Sequence, residues 1–107
     1  MKIDILTLFP ESIQGFIDSS IIKKARDKGL VEINVINFRT YSKLSNNQVD
    51  DTPYGGGAGM VLRCEPIFDC IDDLKTPESK IILMTPDGTS YKQNMAYELT
   101  NYHHLII

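Results

Sequence analysis

Apolar and polar positions alternate with two periods along this chain, and the changes of period mark its elements. Ile3 to Phe9 (IDILTLF) is almost continuously apolar after Asp4. That predicts a strand covered on both faces, the start of a parallel sheet. Pro10 suits the first position of a helix and Glu11 its positive end, with Ile13, Phe16 and Ile17 on one face. A second helix is expected from Ser19 or Ser20, with Ile21, Ile22 and Ala25 turned inward and Gly29 stopping it as the C′ residue. Leu30 to Phe38 (LVEINVINF) is β-branched and partly alternating, which predicts a second strand with Val31, Ile33 and Val35 on one face.

From Arg39 to Leu62 no period of either kind is sustained. Structureless loops this long are uncommon in compact domains unless they bind something or close over a site. Period returns at Glu65 and Pro66: Ile67, Ile71 and Leu74, with Phe68 beside them, predict a helix whose outer side carries Asp69, Asp72 and Asp73 as a solvated face. Lys80 to Met84 (KIILM) predicts a short, buried third strand, followed by a sharp turn at Thr85-Pro86-Asp87-Gly88. A helix from about Ser90 to Thr100, with Met95, Leu99 and Tyr102 inside, leads to a fourth strand at His104 to Ile107. An open strand edge at Ile107 is expected to promote association.

Strands alternating with helices at this spacing predict an α/β domain, a mostly parallel sheet with flanking helices, whose ligands lie at the carboxyl ends of the strands. Two loops fall at such ends, residues 39–62 and 85–88. The second could be a plain turn or a cofactor loop, since its proline stiffens it and its glycine lets backbone approach a ligand.

Composition narrows the classes. A chain of 107 residues is one domain, able to bury roughly two-thirds of its unfolded surface. With 42% hydrophobic residues it is an ordinary globular composition, and no apolar run approaches the ~20 residues of a membrane span. The N-terminus, MKIDILTLFP, is broken too early by Asp4 to act as a secretory signal, so a cytoplasmic setting with reduced Cys64 and Cys70 is expected. Their spacing, and the opposite facing of adjacent His103 and His104 in a strand, argue against a metal site. The net charge of −3 argues against nucleic-acid binding by this surface alone, and the cluster Lys23, Lys24, Arg26 and Lys28 reads as a solvated helix end.

The stretch Asp50 to Met60 (DDTPYGGGAGM) stands apart, because four of the seven glycines fall between Gly55 and Gly59. Glycine admits positive φ and close approach of main chain to a ligand, at an entropic cost. GGGAG lacks the Lys-Ser/Thr of a P-loop and does not open a helix after a strand. No Ser/His/Asp order or supported Cys/His pair suggests nucleophilic catalysis. The residues alone give a binding loop of open purpose: a nucleotide-binding module and a non-enzymatic interaction module burying Ile36, Phe38 and the edge near Ile107 both remain.

Taken in order, LTLFPE at Leu6 to Glu11, NFR at Asn37 to Arg39, VDDTPYGGGAGMV at Val49 to Val61 and the TPDG turn after KIILM resemble the bacterial tRNA (guanine-N1)-methyltransferase family, TrmD, of the knotted SPOUT superfamily. The resemblance runs from Met1 to Ile107, and its most specific part is the glycine loop with its preceding DD and PY. It implies S-adenosylmethionine as cofactor, tRNA as substrate, methylation of the guanine on the 3′ side of the anticodon, and a homodimer whose sites draw on both subunits. Carried over residue by residue, it implies that Asp50, Asp51, Pro53, Tyr54, Gly55, Gly56, Gly57 and Gly59 surround the target guanine. It likewise implies that Leu83, Met84, Thr85, Pro86 and Gly88 contact the adenosyl group. The family's basic, His-containing segment before the DD pair reads Lys43-Leu44-Ser45-Asn46-Asn47-Gln48 here. Family chains also continue for more than as much again. Residues 1–107 are therefore expected to be the N-terminal part of the SPOUT domain, without the knot-forming region, the general base or the C-terminal tRNA-binding domain, and inactive alone.

Overall fold

Strand β1 (Lys2–Thr7) is the axis of the molecule, and the computed structural model describes all of residues 1–107 around it. β1 pairs in parallel with β2 (Glu32–Asn37) along its whole length and, on its other side, with β6 (His104–Ile106). β6 pairs onward with β5 (Ser79–Ile81), completing a parallel sheet of order β2-β1-β6-β5. A separate two-stranded antiparallel ladder joins β3 (Asp50–Asp51) to β4 (Val61–Leu62). The helices are α1 (Pro10–Ile17), α2 (Ser20–Asp27), α3 (Cys64–Leu74) and α4 (Gln93–Leu99), and none is long and apolar enough to cross a membrane. The α/β class with a mostly parallel sheet is as the sequence predicts.

Local chemistry sets the helix ends. Pro10 occupies the first turn of α1 with Glu11 beside it, placing a fixed φ and a negative charge where the free N–H groups and positive dipole end lie. Past α2, Gly29 adopts φ +72, its N–H donates to Arg26 O and the Leu30 N–H to Ala25 O. Those two bonds satisfy the last carbonyls in a Schellman arrangement.

The edges of the sheet differ from expectation. β6 lies inside it, and Ile107 is itself paired, its N–H to Asp4 O and its carbonyl accepting from Leu6 N–H. The outer strands are instead β2 and β5. At β5 the ladder ends when Ile82 N–H donates to Ile106 O, and KIILM leaves the sheet with Leu83 83% and Met84 75% exposed. An apolar run of this length shows neither how deep a strand lies nor which neighbours it has.

The core is small. Phe38, Val49 and Cys70 are buried together, with Leu6, Leu8, Ile36, Tyr41, Ile67 and Leu74 packed around them. Ile17, Leu105 and Ile106 are buried as well. Four residues expected on inner faces, Phe16, Ile21, Phe68 and Tyr102, are exposed. On α1 the inward position falls to Ile17, and on α3 to Pro66 and Cys70, one residue before the predicted pair Ile67 and Ile71. Helical spacing defines a face but not which of two adjacent apolar residues leads it. The acidic side of α3 is also tied down: Tyr41 Oη donates to Asp73 Oδ2 (2.6 Å), Lys75 pairs with Asp72 (2.6 Å) and Lys43 with Asp69 (3.7 Å).

One polar chain crosses all four parallel strands. Asn34 on β2 donates to Asp4 Oδ1 (2.9 Å), Asp4 Oδ2 lies 2.7 Å from His104 Nε2, and His104 Nδ1 lies 2.6 Å from Ser79 Oγ on β5. Ser79 Oγ also accepts from Thr76 N–H (2.8 Å), so its proton is free for Nδ1 and the Nε2 proton for Asp4. Asp4 is only 1% exposed, and each of its oxygens has a partner.

Candidate functional site

The long irregular segment is more ordered than its lack of period predicts. A 3₁₀ turn at Phe38–Tyr41 and another at Ser45–Asn47 lead into the β3–β4 ladder, whose rungs are Asp50 with Leu62 and Asp51 with Val61. Pairing over two rungs leaves no periodic trace in a sequence, which is why 39–62 reads as structureless. The ladder is fixed at its root. Val49, 2% exposed in the core, accepts from Arg63 N–H (2.7 Å), and Gln48 Nε2 donates to Asp50 O (2.7 Å).

Above that root Thr52 to Met60 project as a hairpin loop. Pro53 is half-buried and its carbonyl accepts from Gly56 N–H (3.1 Å), while Tyr54 is fully exposed. Gly55, Gly56, Gly57 and Gly59 all have positive φ, from +78 to +113. Nothing lies within 4 Å of where a Cβ would sit at any of the four, so the backbone angle and not crowding requires glycine. The N–H groups of Gly55, Gly57, Ala58 and Gly59 donate to nothing in the chain. Eight predicted residues are thus brought together as a rim of exposed main chain with carboxylates at its base.

The two aspartates are not equivalent, because successive strand residues face opposite ways. Asp51 Oδ1 accepts from Thr52 N–H (2.8 Å), and its Oδ2 faces Arg63 Nη1 at 3.6 Å. Arg63 Nε in turn faces Glu65 at 3.7 Å. Asp50 is half-buried, and its carboxylate has no hydrogen-bond or ion-pair partner in the chain. Sequence reading did not single out Arg63, which shows no motif and becomes a neighbour of Asp51 only when the hairpin closes.

Leu83, Met84, Thr85, Pro86 and Gly88 form the second predicted group. Gly88 N–H donates to Thr85 O (3.3 Å) and closes a turn, while the N–H groups of Leu83, Met84 and Thr85 are unused by the chain. Exposed apolar Leu83 and Met84 beside free amides suit the flat apolar face and polar edge of an adenine. An open cavity of about 550 Å³ adjoins this turn, with Ser90, Lys92 and Met95 in its wall. The two groups are not brought together. The hairpin comes after β2 and the turn after β5, the two outer strands of the sheet.

Other candidate chemistry is absorbed by structure. Burial, followed by the Asp73 and Asp4 carboxylates, pushes the Cys70 thiol up to about 11. The hydrogen bond to Asp73, followed by burial, pushes the Tyr41 hydroxyl up to about 12. Both are inert near neutrality. Ser79, His104 and Asp4 do form a hydroxyl–imidazole–carboxylate chain that sequence order did not suggest. They lie near the amino ends of β5 and β6, away from both loops, with Ser79 Oγ already engaged by Thr76. No group of three or more His, Cys, Asp or Glu side chains converges as a metal site would require.

Comparison with known proteins gives one answer. Residues 1–107 match the family described as tRNA (Guanine-1)-methyltransferase TrmD. The chain is 51% identical over 107 residues to a protein of Malacoplasma penetrans named tRNA (guanine-N(1)-)-methyltransferase, covering 100% of this chain and 47% of that one. Proteins of the same name from Staphylococcus epidermidis (50% identical, 99% and 44% covered) and Bacillus pumilus (53% identical, 99% and 45% covered) are similar to it as well. The chain spans about half the length of these relatives.

Proposed function

The chain belongs to the tRNA (guanine-1)-methyltransferase TrmD family, and from that premise we propose that its hairpin is the target-base wall of an enzyme that methylates N1 of the guanine 3′ to a tRNA anticodon. The observation that carries this reading is the unpaired Asp50 carboxylate beside a rim of unused glycine N–H groups. Guanine offers O6 as an acceptor and its 2-amino group as a donor. Backbone N–H groups suit the first and a carboxylate the second. A base leaves its stack to be modified, and a pocket for it needs main chain at close range. Gly55 to Gly59 allow that approach.

Leu83, Met84, Thr85, Pro86 and Gly88 are the residues that would hold the adenosyl part of S-adenosylmethionine, which when bound supplies an electrophilic methyl group on sulfonium. This chain's part in the chemistry is positioning. Asp50 and the glycine backbone orient the base so that N1 faces the methyl donor, and alignment of this kind accounts for a large share of barrier reduction. In this reading N1 loses its proton to a group supplied by the half of the relatives' length that residues 1–107 do not match. Residues 1–107 then correspond to the N-terminal part of a SPOUT domain, acting in the cytoplasm where tRNA is processed.

That the hairpin comes after one outer strand of the sheet and the turn after the other favours a site shared between two copies, the hairpin of one subunit facing the cofactor turn of the other. A calorimetric titration tests the reading. S-adenosylmethionine is expected to bind and to be displaced by its demethylated product, with ATP and GTP ineffective. Tight ATP or GTP binding undisturbed by S-adenosylmethionine would overturn it in favour of a phosphate-binding glycine loop.

A further inference from the structure

Arg63 joins the hairpin to the body of the protein. Its N–H donates to the buried Val49 carbonyl (2.7 Å), and it is the N-cap of α3 in extended backbone, so its stem leaves from a fixed point. Its side chain is 27% exposed, and the guanidinium lies between two carboxylates on different elements, Asp51 of the hairpin at 3.6 Å and Glu65 of α3 at 3.7 Å. A ladder of only two rungs is marginal by itself and leaves the tilt of the loop weakly set. The two ion pairs bridge the hairpin to α3.

We propose that Arg63 is a positioning residue for base recognition. By holding Asp51 it sets the rotation of β3, and so the direction of Asp50 on the opposite face. The inference deepens the functional reading above and rests on it. A planar fork addresses two carboxylates at once in a way that a lysine ammonium does not. Because these pairs are partly exposed, they contribute little to stability. A displacement of about 1 Å at a site of this kind can nevertheless cost about 100-fold in rate. Arg63 is thus expected to matter for recognition far more than for folding.

The test uses residues 1–107 joined to the remaining half of the Malacoplasma penetrans relative, assayed on two tRNA transcripts that carry guanosine or inosine at the target position. Inosine keeps N1 and O6 but lacks the 2-amino group. Arg63→Gln is expected to lower kcat/KM on guanosine by about 10- to 100-fold and to change the inosine rate little, so that the preference for guanosine collapses. Arg63→Lys should restore part of it. S-adenosylmethionine affinity and melting temperature are expected to stay near those of the unsubstituted protein. Equal losses on both transcripts, or no loss, would overturn the proposal while leaving the functional reading standing. An unsubstituted protein that binds S-adenosylmethionine and methylates neither transcript would overturn the functional reading and the role of Arg63 with it.

Discussion

His104 Nε2 and Asp4 Oδ2 lie 2.7 Å apart in the interior although 100 residues separate them along the chain. With Asn34 and Ser79 they form a chain of hydrogen bonds holding one residue from each parallel strand, in the order of the sheet. A one-residue slip of β1 against either neighbour would leave at least one of these buried groups unpaired, so the chain selects strand order and register.

Asp4→Ala is therefore expected to destabilise the fold by about 3 kcal/mol, since it strands His104 and Asn34 together. Asn34→Ala, at the end of the chain, should cost about 1 kcal/mol. Urea unfolding followed by circular dichroism checks the order. Equal and small losses would show that apolar packing alone sets the register.

Alkali should unfold the protein through Cys70 and Tyr41. Each keeps its proton in the folded state at pH values where the unfolded chain has lost it, so stability falls as pH rises. The fall runs from about 9 to about 11 for Cys70 and from about 10 to about 12 for Tyr41. Below pH 9 these groups leave stability flat. Tyr41→Phe is expected to make the decline above pH 10 shallower, as read from urea midpoints across the series.

Thiol accessibility follows from the same packing. Cys64 is exposed and Cys70 buried. At pH 8 one thiol is expected to react with an uncharged maleimide in the folded protein, and both after denaturation. Peptide mapping should place the fast label on Cys64.

Backbone angle separates two glycine substitutions. Gly57 has φ +113 with open space above it, so Gly57→Ala should cost about 1–3 kcal/mol locally and distort the loop without a clash. At Gly88 an added Cβ would stand 3.3 Å from Thr85 Cγ2, so Gly88→Ala should disturb the turn itself. The first is expected to weaken RNA binding and leave S-adenosylmethionine affinity alone; the second should do the reverse. Calorimetry with each ligand distinguishes them.

Features set by neighbours in the chain were legible in the sequence. Pro10 and Gly29 marked a helix start and a helix stop because their backbone limits act locally. The hairpin stood out because four glycines so close together serve no core. Features set by distant contacts were not legible. Nothing near Asp4 announces His104, nothing near KIILM says that it forms an edge, and Arg63 gains its meaning only from Asp51 across a closed loop. The difference between Asp50 and Asp51 was likewise hidden, because it depends on which carboxylate the fold has already engaged.

The central claim is that Asp50 and the glycine rim read the target guanine. The most direct test is mass spectrometry of tRNA after incubation with S-adenosylmethionine and residues 1–107 joined to the other half of the Malacoplasma penetrans relative, with Asp50→Ala and the 107-residue polypeptide alone in parallel. The predicted result is N1-methylguanosine at the position 3′ to the anticodon with the joined protein, at least 100-fold less with Asp50→Ala, and none with the 107 residues alone. Undiminished methylation by the Asp50→Ala protein would contradict the account.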